Sequence, residues 1–220
     1  MITVHHLNNS RSQRVLWLLE ELELPYEIVK YERDKATMLA PPELAKIHPL
    51  GKSPVIVDGG DTVAESGAIL EYLVEKYGKG KLAPARGTAA FNEYRYFLHY
   101  AEGSLMPFLL LKLIFTRVKT AKMPFFVKPI ARKIADTVSG QFVTPNLSRH
   151  LKFIDDHLAK HAWFAGDELS AADVQMSYPM EAVVSRVQEF ATPRMSEWVA
   201  KIRARPAFAR ALERGGPYEF

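Results

Sequence analysis

Hydrophobic positions along this 220-residue chain follow two different rhythms. In the first 80 residues short strand-like runs alternate with helical ones. Ile2 to Leu7 reads as a strand. Val15, Leu16, Leu18, Leu19 and Leu22 then recur at helical spacing, and Pro25 stops that helix. Tyr26 to Tyr31 is a second strand, so the opening is a βαβ unit with parallel strands and a right-handed crossover. Pro42 to Ile47 is at most a short helix with proline at its start. The apolar run Val55-Ile56-Val57 is turned by Asp58-Gly59-Gly60-Asp61 into Thr62-Val63-Ala64, a β-hairpin. Glu65-Ser66 opens a helix marked by Ile69, Leu70, Tyr72, Leu73 and Tyr77.

Beyond a Gly-, Lys- and Pro-rich linker the rhythm is helical throughout. Ala89 to about Val118 reads as one long helix kinked at Pro107. Ala131 to Thr137 and Leu147 to Lys160 follow, the latter with Leu147, Leu151, Ile154 and Leu158 on one face. Ser170-Ala171-Ala172-Asp173 is a capping sequence, with Leu169 and Val174 placed for a hydrophobic staple, and starts a helix from Ala172 to Val187. Met195 to Ala204 and Pro206 to Leu212 complete the pattern. The expected organisation is an α/β domain (1–80, order βαβαββα), a linker (81–88) and an all-α helical-bundle domain (89–220).

Composition narrows the chemistry. Cysteine is absent, which excludes disulfides, thiolate metal sites and cysteine nucleophiles, so any thiol chemistry uses a thiol brought in by a ligand. A net charge of +4 suits anionic small molecules and is too dispersed to argue for nucleic acid. The longest apolar stretch, around Leu109 to Phe115, is broken by Lys112, so no transmembrane segment is expected. No secretory signal opens the chain, so a cytoplasmic location is expected.

Two helix starts stand out. Pro54 ahead of a strand lacks the ladder N–H and suits a cis peptide, which leaves the Ser53 backbone free of the sheet. Beside it, the helix starting at Ser66 offers N–H donors to a carboxylate. At the first helix start lie Asn9 and Ser10, on the sheet edge where open α/β folds bind ligands. A ligand thiol there, with a reference pKa of about 8.5, needs roughly 2.7 kcal/mol to become mostly thiolate at neutral pH. A helix terminus supplies at most ~2 kcal/mol, and one hydrogen bond to the charged sulfur adds about 1.5–3 kcal/mol. Ser10 and Ser12 read equally well as plain helix caps. His157 and His161 stand four apart on a helix but lack a third ligand, so no metal is expected. Between Gly103 and Ala135 stand seven cations and no acid. That stretch reads either as a solvated basic face or as a site of peripheral contact with anionic lipid.

Asn9-Ser10-Arg11-Ser12-Gln13-Arg14-Val15-Leu16-Trp17, Ile47-His48-Pro49-Leu50-Gly51-Lys52-Ser53-Pro54 and Ala64-Glu65-Ser66-Gly67 closely resemble the soluble glutathione transferases, in the branch shared by bacteria and yeast-type fungi. Glu102-Gly103-Ser104-Leu105, Met123-Pro124-Phe125 and the Ser170 capping sequence carry the resemblance into the helical half. It implies a thioredoxin-like first domain that binds glutathione, a helical domain that completes a pocket for a small electrophile, and a homodimer. Ser53, before a cis Pro54, is then expected to pair with the cysteinyl unit of glutathione, Glu65 and Ser66 to hold the γ-glutamyl end, and Lys52 to lie near the glycyl end. Serine-using classes place their hydroxyl at the position of Asn9, and cysteine-using classes near Arg11. The catalytic role therefore stays open between the Ser10 hydroxyl and the Asn9 amide, with Ser12 the weaker donor. Glu102, Leu105 and Met106, near Pro107, are the expected electrophile side. The implied reaction is attack of glutathione thiolate on an electrophilic carbon, with peroxide reduction as a side activity. The alternatives are a non-enzymatic binding module of the same fold and a glutathione-dependent disulfide reductase.

Overall fold

The computed structural model describes residues 1–216 and Tyr218. Its first layer is a four-stranded sheet in the order β2-β1-β3-β4, from β1 (Ile2–Leu7), β2 (Tyr26–Tyr31), β3 (Val55–Asp58) and β4 (Asp61–Ala64). β1 runs parallel to β2 and antiparallel to β3. The crossover helix α1 (Ser12–Glu21) buries Val15, Leu16, Leu18 and Leu19 in the core. α2 (Ser66–Tyr77) follows the hairpin and buries Ile69, Leu70, Leu73 and Val74. The expected second helix of this domain is only a short 3₁₀ turn, Pro42–Lys46.

The rest of the described chain is helical: α3 (Ala89–Tyr100), α4 (Met106–Thr120), α5 (Lys128–Val138), α6 (Thr144–Leu158), α7 (Ala171–Arg186), α8 (Pro193–Arg203) and α9 (Pro206–Gly215). The long helix expected from Ala89 differs from expectation. A π turn at Ala101–Leu105 separates α3 from α4. Pro107 sits in the first turn of α4, and widening the preceding turn removes the clash its ring makes with a carbonyl four residues back. Pro145 repeats the device after the π turn Ser139–Val143. The Ala89–Thr120 run is apolar and long enough to cross a membrane by length and composition. Its first half is core, however, with Tyr94, Phe97, Leu98, Tyr100, Ala101 and Leu105 buried.

α7 is the centre of the helical domain. Its capping box is formed, with Ser170 N–H and Oγ both donating to Asp173 Oδ2 at 2.9 Å. Asp173 Oδ1 also accepts the Phe164 N–H at 2.8 Å. α7 packs on α1, α2 and α3, so the same helix backs both domains. Gly67, in the first turn of α2, lies where an added Cβ would stand 3.4 Å from Gln175 Nε2 of α7. The absence of a side chain there lets the start of α2 press against α7.

Candidate functional site

The start of α2 is set by Glu65, which holds a left-handed φ of 72° that disfavours a residue with a side chain. Ser53-Pro54 is a cis peptide. The Ser53 hydroxyl donates to the His5 carbonyl at 2.8 Å and accepts the Leu7 N–H at 3.3 Å, which pins the loop to β1. Lys52, Ser53, Pro54, Ala64, Glu65, Ser66, His48, Leu50, Arg11 and Glu102 converge on one cleft of about 260 Å³. An apolar cavity of about 440 Å³ adjoins it, walled by Met106, Leu109, Leu113, Tyr178, Ala182 and Val187. Arg11 lines both. A larger hollow of about 790 Å³ around Phe125 and Arg132 contains none of these groups.

Sequence reasoning missed the charge cluster at this junction. Arg11 Nε donates to both oxygens of Glu102, at 2.9 and 3.0 Å. Arg14, buried one turn further on, donates to the same carboxylate. Arg14 also donates to the Gln175 carbonyl at 2.6 Å and to Gln175 Oε1 at 2.8 Å. The Tyr178 ring lies 5.1 Å from the Arg11 guanidinium carbon and 5.4 Å from that of Arg14. Burial pushes the Glu102 carboxyl up, but Arg14 and Arg11 outweigh it and hold it below its usual value. Two guanidiniums share one carboxylate, so the junction carries net positive charge. The signal in the sequence was Arg11 and Arg14 at i and i+3 in the first turn of a helix, which places both on one face.

The other expected residues are distributed unevenly. Ser10 is buried and does not line the cleft. Its Oγ lies 2.7 Å from Ser12 Oγ and accepts the Ser12 N–H at 3.2 Å. Ser12 Oγ lies 2.9 Å from His6 Nδ1. Burial, with Lys30 adding to it, lowers His6 to a pKa of about 4, so the ring is neutral at pH 7. A neutral imidazole has one donor and one acceptor nitrogen. A backbone hydrogen bond with Gly215 acts against that lowering, and the roles of Ser12 and His6 Nδ1 in their contact follow the imidazole tautomer. Ser12 Oγ also donates to the Leu7 carbonyl at 3.3 Å, and the Ser10 hydroxyl is engaged with Ser12 inside the fold. Asn9 is exposed with φ 48°, and its carbonyl accepts from Arg33 at 3.4 Å. Of the expected electrophile side, Met106 lines the apolar cavity. Leu105 is fully buried in the core, and Glu102 belongs to the first cleft instead. The π turn rotates Leu105 inward and Glu102 towards α1, which a straight kinked helix would not. Among the described residues no cluster of three metal-binding side chains occurs.

A thioredoxin-like sheet edge with a cis-proline loop and the start of α2 form one cleft, and a mostly apolar cavity adjoins it, an arrangement of the kind in which open α/β folds bind small ligands. Residues 1–75 match the description "Glutathione S-transferase, N-terminal domain" and residues 118–215 "Glutathione S-transferase, C-terminal domain". Glutathione S-transferase 3 of Schizosaccharomyces pombe is 38% identical over 215 residues, covering 97% of this chain and 88% of the relative. Glutathione S-transferase 1 of Saccharomyces cerevisiae is 36% identical over 225 residues, covering 97% and 95%. A glutathione transferase family member from Pseudomonas fluorescens, solved with two glutathione bound, superposes with a TM-score of 0.72 at 26% identity, covering 96% of this chain and 92% of that one. The chain belongs to the glutathione S-transferase family, in its fungal and bacterial branch, and is a glutathione transferase enzyme.

Proposed function

We propose that this enzyme binds glutathione in the cleft between Lys52 and Ser66 and joins it, through its thiolate sulfur, to the electrophilic carbon of apolar substrates held in the cavity walled by Met106, Leu109 and Tyr178, the leaving group or the addition proton being exchanged with solvent. The observation that carries this reading is the adjacency of the two cavities, with Arg11 as their shared wall. In this reading the Ser53 backbone pairs with the cysteinyl unit, the α2 start with Glu65 and Ser66 takes the γ-glutamyl end, and Lys52 faces the glycyl carboxylate. The sulfur then meets the start of α1. Ser10 and Asn9 are the residues the resemblance offers for holding the thiolate. The burial of Ser10 outside the cleft and the outward placement of Asn9 favour Arg11, which lines the cleft, as the group that faces the sulfur, with the α1 terminus behind it. Bringing both reactants together supplies much of the rate gain.

A homodimer is part of the proposal, since exposed Tyr96 and half-exposed Phe153 form one aromatic surface, their rings 6.0 Å apart. A reducing cytoplasm, which keeps the ligand thiol free, is its location. Calorimetric titration with glutathione, followed by turnover on an aryl halide, a hydroperoxide and a mixed disulfide, tests the reading. Binding with turnover on the halide is the expected result. Binding without turnover on any of the three would return the chain to the non-enzymatic reading, and turnover confined to the mixed disulfide to the reductase one.

A further inference from the structure

The tip of the helical domain carries an unusual surface. α4 ends at Thr120, and the chain crosses through Phe125 and Phe126 into α5. Phe125 is 87% exposed, Phe126 65%, Ile130 63% and Ile134 54%. On α5 the buried position is Ala135, whereas Ile130 and Ile134, one turn apart, face outward. A helix that packs a small residue inward and presents its large apolar ones to solvent reverses the usual surface arrangement. The same tip is basic. Lys119 pairs with Asp136 at 2.6 Å and Lys112 with Glu189 at 3.2 Å. Among the described residues Lys122, Lys128, Arg132 and Lys133 form no ion pair. Phe125, Lys128, Arg132 and Lys133 line one open hollow, whose single acid, Asp136, is the one paired with Lys119.

We propose that this tip docks the enzyme on an anionic lipid surface, Phe125, Phe126, Ile130 and Ile134 entering the interface while Lys122, Lys128, Arg132 and Lys133 meet the headgroup phosphates. The charge selects this occupant. A second copy docked face to face would oppose one set of cations to an identical set, which like-charge repulsion disfavours. Nucleic acid would use the cations but leave Ile130 and Ile134 exposed on the contact face. An anionic membrane satisfies both halves at once. α4 runs from this tip to the apolar cavity, which it walls with Met106, Leu109, Leu110 and Leu113. Docking therefore brings the cavity near a phase in which apolar electrophiles concentrate. That functional consequence rests on the proposed glutathione conjugation, whereas the docking itself does not.

The test is co-sedimentation of the full chain with vesicles of phosphatidylcholine alone and of phosphatidylcholine with phosphatidylglycerol. The expected result is a partition coefficient at least about tenfold higher on the anionic vesicles, falling as salt is raised. The Phe125→Ser/Phe126→Ser and Lys128→Glu/Arg132→Glu variants should each lose that partition yet retain calorimetric binding of glutathione, which shows that they fold. Equal partition on both vesicle types, no partition, or variants that partition like the parent would overturn the proposal. So would light scattering in which the Phe125→Ser/Phe126→Ser variant changes oligomeric state, since the face would then cover a second copy. A gel shift on duplex DNA or RNA that is lost in the Lys128→Glu/Arg132→Glu variant would also overturn it, in favour of nucleic acid.

Discussion

Replacing Arg11 by Gln should make bound glutathione a weaker acid by about one pK unit. Arg11, Arg14 and Glu102 together carry one net positive charge. At ~6 Å from a sulfur in the cleft and an effective dielectric of about 20, a unit charge is worth roughly 2.8 kcal/mol, or about two pK units. Arg11 and Glu102 have side chains 36% and 32% exposed, and solvent screening at that exposure cuts the effect to about half. The α1 terminus adds about 0.3–1 kcal/mol. From a reference near 8.5 the bound thiol should then titrate at about 7. Arg11→Gln takes the cluster to zero net charge and should raise that value by about one unit. Glu102→Gln takes it to two positive charges and should lower it by a similar amount. Ser10→Ala, which removes a hydroxyl buried outside the cleft, should leave it nearly unchanged. The assay is ultraviolet thiolate absorbance against pH at saturating glutathione, alongside the pH profile of kcat/KM. Arg11 and Glu102 variants that both bind glutathione yet move the thiol in the same direction, or not at all, refute the electrostatic account. So does a Ser10→Ala shift larger than that of Arg11→Gln.

Other expectations concern stability. Asp58 Oδ2 accepts from Lys76 at 2.8 Å, Tyr77 at 2.6 Å and Tyr72 at 2.9 Å. The Lys76 hydrogen bond foremost, with that from Tyr77, lowers its pKa to about 2. A depressed carboxylate contributes stability above its unfolded value that is lost as pH falls through its folded one, so denaturation followed by circular dichroism should steepen between about pH 4 and 2 and flatten in Asp58→Asn. Asp173→Ala strands the buried Phe164 and Ser170 N–H groups and should cost about 2–4 kcal/mol, whereas Ser170→Ala should cost about 1 kcal/mol; equal melting losses would contradict the shared role of Asp173. Gly67→Val should weaken glutathione binding as well as stability, because its side chain meets Gln175, the partner of Arg14; unchanged calorimetry would remove Gly67 from the site's support.

The α/β half was legible because its elements are short and punctuated. Pro25, Pro54 and Gly59-Gly60 end or turn each segment chemically, and β1 and β2 begin and end where their apolar runs do. The helical half was legible in outline only. Pro107 announced a disturbance, but whether a kink or a π turn absorbs it depends on what the turned residues meet. Here Leu105 meets core and Glu102 meets two guanidiniums from α1. The i, i+3 spacing of Arg11 and Arg14 puts two cations on one face, but no local pattern encodes their contact with Glu102, some ninety residues on. Ser10 shows the opposite case. Its position was plain from the sequence, and its orientation was not, because the direction of its hydrogen bond is set by a histidine on β1 and a carbonyl at the end of α9.

That dependence can be tested directly at His6. If Nε2–H serves Gly215 and Nδ1 accepts from Ser12, the ring is a fixed tautomer that resists protonation, with a pKa of about 4 owing to burial first and Lys30 second. In the unfolded chain the same ring titrates near 6.5, so the unfolded state takes up a proton across that interval and the folded state does not. His6 therefore contributes a loss of stability as pH drops from about 6.5 to 4, at up to about 1.4 kcal/mol per pH unit, while Glu181 and Asp173, raised by burial to about 7 and about 6, act in the opposite sense in the same window. This window lies above the one assigned to Asp58, so the two slopes separate in a single series. The difference in stability between the parent and His6→Gln should therefore carry the His6 slope, with the lower, Asp58 slope unchanged between them. Nitrogen-15 shifts of the imidazole should report the Nε2–H form down to about pH 5. A ring that titrates near 6.5, or that carries its proton on Nδ1, would reverse every donor along His6, Ser12 and Ser10. The Ser10 proton would then be free to face the cleft, and the case for Arg11 over Ser10 would lose its structural basis.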